Sequence, residues 1–234
     1  MPSLQKVLHF LGGCLLAALE VGLMGFGMSD SWAVSKLECA SQGSDGLNST
    51  DLYNGTADIS LGLFSLVVSR DSCPSFGATN TYATFQKLVA IGGPPLILHS
   101  LVVSILVVSL ITSAGTIFIT FYNSVSNPYQ THLGPSGVYT CSACSVIFAF
   151  LALVLFLVNV FATNMWQDIV LNEVKVNLRN VTVSMRLGFY LLIPSLVMSS
   201  LAIVVIVLYQ HVAYTHQKEQ QRPTEDAPKE IMMY

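Results

Sequence analysis

The sequence predicts an all-α membrane protein: a four-transmembrane-helix bundle with a small extracellular, β-rich first loop. Three observations carry that prediction. Only 10% of the 234 residues are charged and 53% are hydrophobic, with a mean hydropathy of +0.62. A water-soluble domain carries about 25% charged residues, so part of this chain's solvent must be lipid. Four stretches reach the roughly 20 apolar residues that a spanning helix needs. They are continuous apolar runs rather than the short alternating strands of a membrane β-barrel, so each reads as a helix.

The elements follow in order. Residues 1–6 form a short cytosolic N-terminus, and the first span covers residues 7–28. The apolar core of a cleaved secretory signal runs about 7–15 residues; this run is longer and is expected to be retained. Residues 29–95 form the long polar extracellular loop. Spans two and three cover residues 96–122 and 138–163, with no Lys, Arg, Asp or Glu in either. Residues 123–137 are the cytosolic link between them. It is turn-rich, with Asn127-Pro128 and Gly134-Pro135-Ser136-Gly137. Pro128 and Pro135 are expected to enforce helix breaks, and Tyr122, Tyr129 and Tyr139 to anchor at the membrane interface. Residues 164–186 form the second extracellular loop. The fourth span covers residues 187–210, where Pro194 is expected to introduce a kink. The cytosolic tail, residues 211–234, has Pro223, Pro228 and mixed charges and reads as disordered.

Sidedness rests on modification chemistry rather than on charge. Lys and Arg near helix ends normally mark the cytosolic side. Here Lys6, Lys218, Arg222 and Lys229 lie on one side, and Lys36, Arg70, Lys87, Lys175, Arg179 and Arg186 on the other, so the tally does not favour cytosolic tails. Sequons decide better. Asn48-Ser49-Thr50 and Asn54-Gly55-Thr56 lie in the first loop and Asn180-Val181-Thr182 in the second. All three fall on one side of a four-span chain, and N-x-[ST] is an acceptor only in the secretory lumen. Cys39 and Cys73 are the two cysteines of the first loop, and an oxidising exterior would join them as a disulfide. Both loops are therefore expected outside, and both termini in the cytosol of a plasma-membrane protein.

Few residues suggest chemistry. Glu20 is the acidic residue inside a span, where a charge is expensive and marks either a functional site or a hydrogen-bonded structural group. With His99 and Asn159 it makes too small a set for an intramembrane catalytic centre or a proton relay. Gly13/Ala17, Ala18/Gly22, Ser109/Ser113 and Ser195/Ser199 are small-xxx-small pairs, which let helices approach closely. Cys141-Ser142-Ala143-Cys144 opens the third span; Cys141 and Cys144 are candidate palmitoylation sites. The tail ends Ile231-Met232-Met233-Tyr234, in which Met232 and Tyr234 are the alternate side chains of a candidate PDZ-type ligand. Catalytic motifs, cofactor loops and metal-ligand spacings are absent from the sequence. The net charge of −3 points to no nucleic-acid partner, which leaves membrane lipids and other membrane proteins.

Four spans, a glycosylatable first loop, Trp32, Cys39, Gly62-Leu63-Phe64 and Cys73 together resemble the claudin-like four-span superfamily. In that group the loop's Trp, Gly-Leu-aromatic signature and disulfide pair usually sit on a small outer β-sheet, and Ser60–Val68 reads as a strand here. Claudin cysteines both follow the Gly-Leu-aromatic motif, whereas Cys39 precedes it, which argues against a tight-junction barrier. A finer resemblance, over the whole chain, is to the clarin family and its third type in particular. It is carried by Ser126-Asn127-Pro128-Tyr129-Gln130-Thr131, Leu133-Gly134-Pro135 and Gly137-Val138-Tyr139-Thr140. The resemblance implies a non-enzymatic protein that organises membrane or assists partner complexes, in sensory cells and hearing. A claudin-type cell-contact or barrier protein and a channel auxiliary subunit are the alternatives.

Overall fold

The computed structural model describes residues 4–40, 55–71, 78–125, 134–172 and 177–220. The order of elements is α1 (Leu4–Ser29), β1 (Ser31–Ala40), β2 (Gly55–Gly62), β3 (Ser65–Asp71), β4 (Ala78–Ala83), α2 (Thr84–Ile91), α3 (Gly93–Val125), α4 (Pro135–Ala162), α5 (Met165–Leu171), β5 (Asn177–Met185), α6 (Leu187–Tyr190) and α7 (Leu192–Gln220). Among the described residues, four segments are long and apolar enough to cross a membrane: Lys6–Ser29, Gly93–Val125, Pro135–Ala162 and Leu187–Val212. The 33 residues of α3 span roughly 50 Å at 1.5 Å per residue. The hydrocarbon core is about 30 Å thick, so α3 tilts or projects beyond it.

The helices form a ring in which α1 packs on α3 and α7, and α4 packs on the same two from the other side. The distribution of side chains is inverted relative to a soluble bundle. Leu15, Leu19, Ile111, Phe118, Ile147, Phe150, Val204 and Leu208 are exposed, while Ser109, Ser113, Thr116 and Thr120 of α3, Ser142 and Ser145 of α4, and Ser195 and Ser199 of α7 are buried. Lipid is as apolar as leucine, so burying leucine gains little; small hydroxyl residues instead allow close approach and bond across helices.

Local sequence sets the breaks. Gly92 and Gly93 have φ of 72° and 71°, the left-handed region that favours glycine. They separate α2 from α3, and Pro94-Pro95 occupy the first turn of α3, where their missing N–H groups cost nothing. Pro135 likewise opens α4 instead of merely interrupting a helix. The kink at Pro194 takes the form of an interruption at Leu191, between α6 and α7. Pro194 has no N–H for the carbonyl four residues before it.

The five strands form one antiparallel sheet in the order β4-β3-β2-β1-β5. Its inner face buries Ala33, Leu37, Cys39, Ala57, Ile59, Leu61, Leu66 and Val68. All of these but Ala57 join Met165, Trp166, Ile169 and Val170 of α5 and the adjoining helix ends in one apolar core. The outer face is polar and carries the ion pair between Lys36 Nζ and Asp58 Oδ2, 3.7 Å apart. Strand alternation thus separates a buried from a wet face. At the other end of the bundle Phe10, Val138 and Ile206 form a small cluster, where Phe10 meets Tyr209 edge-on at 5.3 Å.

Two expectations are corrected. Ser60–Val68 is not one strand: β2 ends at Gly62, Leu63 and Phe64 make the turn, and β3 starts at Ser65. The first loop is β-rich as expected, and its sheet gains a fifth strand, β5 from the second loop, which pairs with β1. The tail is helical as far as Gln220, since no helix breaker occurs before Pro223.

Candidate functional site

Two sites stand out, one at the sheet end of the bundle and one inside it. At the sheet end, Trp32 is completely buried. Its Nε1–H donates to Gly27 O at 2.7 Å, which fixes the corner between α1 and β1. Its ring stands edge-on to Phe156 of α4 at 4.8 Å and to Phe189 of α6 at 6.2 Å. The backbone N–H of Arg186 donates to Trp32 O at 2.9 Å. One residue thus ties three of the membrane segments to the sheet.

The Gly62-Leu63-Phe64 turn is held by its carbonyls. Gly62 O accepts from Thr84 Oγ1 at 3.0 Å, Leu63 O from His99 Nε2 at 2.9 Å, and Phe64 O from the Thr84 backbone N–H at 3.0 Å. All three acceptors of the motif are satisfied by α2 and α3, as buried carbonyls require. Gly62 itself is tightly packed: a Cβ there would stand 3.0 Å from Ser65 O and 3.3 Å from Asp30 O. His99, ambiguous in the sequence, is a fully buried clamp between the turn and α3. Its Nδ1 has no partner among the described residues. His99→Leu is therefore expected to cost only about 1 kcal/mol, because orphaning the Leu63 carbonyl is offset by removing an unpaired nitrogen from the interior. Thermal unfolding of the solubilised protein measures it.

Inside the bundle, Glu20 is 2% exposed. Its Oε1 accepts from Ser113 Oγ of α3 at 2.7 Å and from Ser145 Oγ of α4 at 2.6 Å. The two hydroxyls lie 2.7 Å from each other, and Ser109 Oγ lies 3.1 Å from Ser145 Oγ. Ser199 of α7 stands beside the carboxyl and donates to Ser142 O at 3.3 Å. Thr116 Oγ1 is 3.3 Å from Ser142 Oγ. All four membrane segments meet around one carboxyl whose Oε2 has no hydrogen-bond partner among the described residues. In the sequence Ser109/Ser113 and Ser195/Ser199 read as packing pairs, and Ser145 was not singled out. The available signal was the run Ser109, Ser113, Thr116, Thr120, Asn123, whose spacing of three and four places every member on one helix face.

The remaining sequence candidates are scattered. Asn180 is exposed on β5 with a φ of 52°, where the register against β1 shifts between Lys36 and Glu38. Its Nδ2 donates to Glu38 Oε2 at 2.8 Å. Cys141 and Cys144 are half-buried in the first turns of α4, and with Cys14 they are free thiols. Cys39 is buried at the end of β1. Asn159, also buried, donates to Met165 Sδ at 3.8 Å and stays apart from Glu20. Asn48, Asn54, Cys73, Met232 and Tyr234 lie outside the described residues.

No protein-family model matches the chain. Comparison with curated proteins is informative. The chain is 31% identical to Clarin-3 of Mus musculus over 238 residues, 29% to Clarin-3 of Homo sapiens over 240 and 32% to Clarin-3 of Rattus norvegicus over 241, with 100% of both chains covered in each case. Similarity at this level over the entire length, on a four-span framework, means that this chain belongs to the clarin family.

Proposed function

We propose that this clarin is a non-enzymatic organiser of membrane or of partner complexes at the plasma membrane. In this reading the sheet faces outside the cell and both termini lie in the cytosol. The observation that carries it is the joint sheet. β5 of one loop is hydrogen-bonded to β1 of the other, and the sheet is fastened to the helix ends through Trp32 and His99. A polar face held at fixed orientation suits recognition of a second membrane protein, because little ordering entropy is lost on binding. The resemblance to clarins supports a setting in sensory cells, hearing among them.

The modifications expected from the sequence belong to the same reading. Cys39 pairs in register with Gly55, and Thr56 with Asp71. The ends of β1 and β3 therefore share one rim of the sheet, and Cys73 follows Asp71 by two residues. This favours a Cys39–Cys73 disulfide, which would stabilise the sheet by about 2–4 kcal/mol. Asn48, Asn54 and Asn180 would carry glycans on the sheet side. Cys141 and Cys144 would take acyl chains at the opposite end, and Met232 and Tyr234 would engage a PDZ-type domain.

Affinity capture from gently solubilised membranes tests the proposal. It compares the intact chain with Cys39→Ser/Cys73→Ser and with the outer-face variant Lys36→Glu. Lys36 is well exposed, so its variant keeps the fold. A membrane protein captured by the intact chain and reduced several-fold by either change supports recognition through the sheet. Capture of the same partner by all three moves recognition to the spans or the tail. Charge-selective conductance in expressing cells, without a captured partner, overturns the proposal in favour of the barrier or channel alternative.

A further inference from the structure

We infer that the groove where α4, α5 and β5 meet takes a sterol from the leaflet on the sheet side of the membrane. The groove has a volume of about 190 Å³. It begins where the third span ends, at Thr163 directly after α4. Phe161, which forms one wall, is 65% exposed at the end of the third span, so the groove opens where that span would leave the acyl region.

The lining selects the class of lipid. Its apolar walls are Phe161, Trp166, Val181 and Val183, and its polar groups are Thr163, Asn164 and Gln167. Among the described residues, no charged side chain contributes to the lining. A phosphate would find no cation there, whereas a lone hydroxyl, which both donates and accepts, is matched by a carboxamide. Asn164 precedes α5 without capping it through its side chain, so its amide is available. Thr163 Oγ1 gives its hydrogen to Asn159 O and keeps its lone pairs for an incoming hydroxyl. Trp166 Nε1–H is already bonded to Val160 O at 3.2 Å, so the indole contributes its apolar ring.

Size and stiffness point the same way. Pockets that enclose a whole small molecule run roughly 300–1,000 Å³. This groove therefore holds one end of its ligand, and the rest lies down α4 across the exposed Val158 and Val154. Aromatic and β-branched walls are rigid and fit a fused ring system. Such a ring system loses little conformational entropy on binding, unlike a flexible acyl chain.

The test uses the full chain in phosphatidylcholine liposomes with a diazirine-bearing cholesterol analogue, followed by peptide mapping. Labelling is expected to concentrate on the peptides that contain residues 160–167 and 181–183 and to be displaced by unlabelled cholesterol. Val183→Phe fills the groove and should cut labelling at least five-fold. Gln167→Leu, at an exposed position, should weaken it several-fold without touching the core, and decides the matter if Val183→Phe does not fold. Labelling spread evenly along the spans, or unchanged in Gln167→Leu and Val183→Phe, overturns the inference. So does equal labelling of the same peptides by a diazirine phosphatidylcholine, which would make the groove an acyl-chain site.

Discussion

Gly188→Ala is expected to unseat the sheet from the helix bundle, at a cost of at least about 3 kcal/mol. A methyl group at that position would stand 2.6 Å from Trp32 Cδ1, 2.8 Å from Gly27 O and 2.8 Å from Ser31 O. Real side-chain carbons do not approach other heavy atoms so closely, so something has to move. Two of the three obstacles are backbone oxygens. One of them, Gly27 O, is already the acceptor of the Trp32 indole N–H. Shifting α6 outward instead would break the Arg186 N–H bond to Trp32 O and the ring contact between Trp32 and Phe189. Shrinking the tryptophan is therefore not expected to rescue the variant. Gly25→Ala is the control, since a Cβ there meets nothing within 4 Å and alanine favours the helix by about 1 kcal/mol. Thermal unfolding of the solubilised proteins should place Gly188→Ala several degrees below the parent, or leave no folded material, with Gly25→Ala at or above it. Equal melting of the two variants would show that α6 does not pack on the α1–β1 corner in this way.

The same corner illustrates what the sequence discloses. Trp32 and Gly62-Leu63-Phe64 stood out as a motif, but nothing in their spacing says that Gly188, more than 150 residues further along, is the glycine against which the tryptophan packs. The four spans were legible because twenty apolar residues in a row have one physical meaning. The hairpin turn was not, because Leu63 and Phe64 are apolar and continue the strand pattern; the break shows only when α2 and α3 donate to its carbonyls. β5 carries the alternation Val181, Val183, Met185 that a half-buried strand needs, yet its partner lies in another loop. Pairing at that range is a property of the fold. The interior site was legible only in halves: Glu20 was conspicuous as an acid, whereas its serines read as spacers between helices. In lipid the two roles coincide, since a small residue that admits a neighbouring helix also brings a hydroxyl within reach of it.

That coincidence leads to the second prediction. Ser113→Ala/Ser145→Ala is expected to destabilise the bundle by about 2–3 kcal/mol, whereas Glu20→Leu is expected to be nearly neutral. The asymmetry is that of any buried polar contact. Removing the donors leaves an acceptor stranded in the interior, and removing the acceptor with a shape-matched apolar group does not. Both hydroxyls have somewhere else to go: Ser113 Oγ already reaches Ser109 O at 3.0 Å, and Ser145 Oγ lies 3.1 Å from Ser109 Oγ. Glu20 is worse placed: the other hydroxyl beside it, that of Ser199, donates to Ser142 O, and its Oε2 has no hydrogen-bond partner among the described residues even with both serines in place. Thermal unfolding of the two variants beside the parent gives the ordering directly. A double serine variant as stable as the parent would mean that the carboxyl is satisfied without the hydroxyls, and the convergence of four helices on it would lose its energetic content. If the expected ordering holds, the bundle gains no stability from Glu20 that leucine could not supply. Partner capture and surface delivery of Glu20→Leu then become the decisive measurements. A stable variant that fails in either would assign the carboxyl to function rather than to the fold.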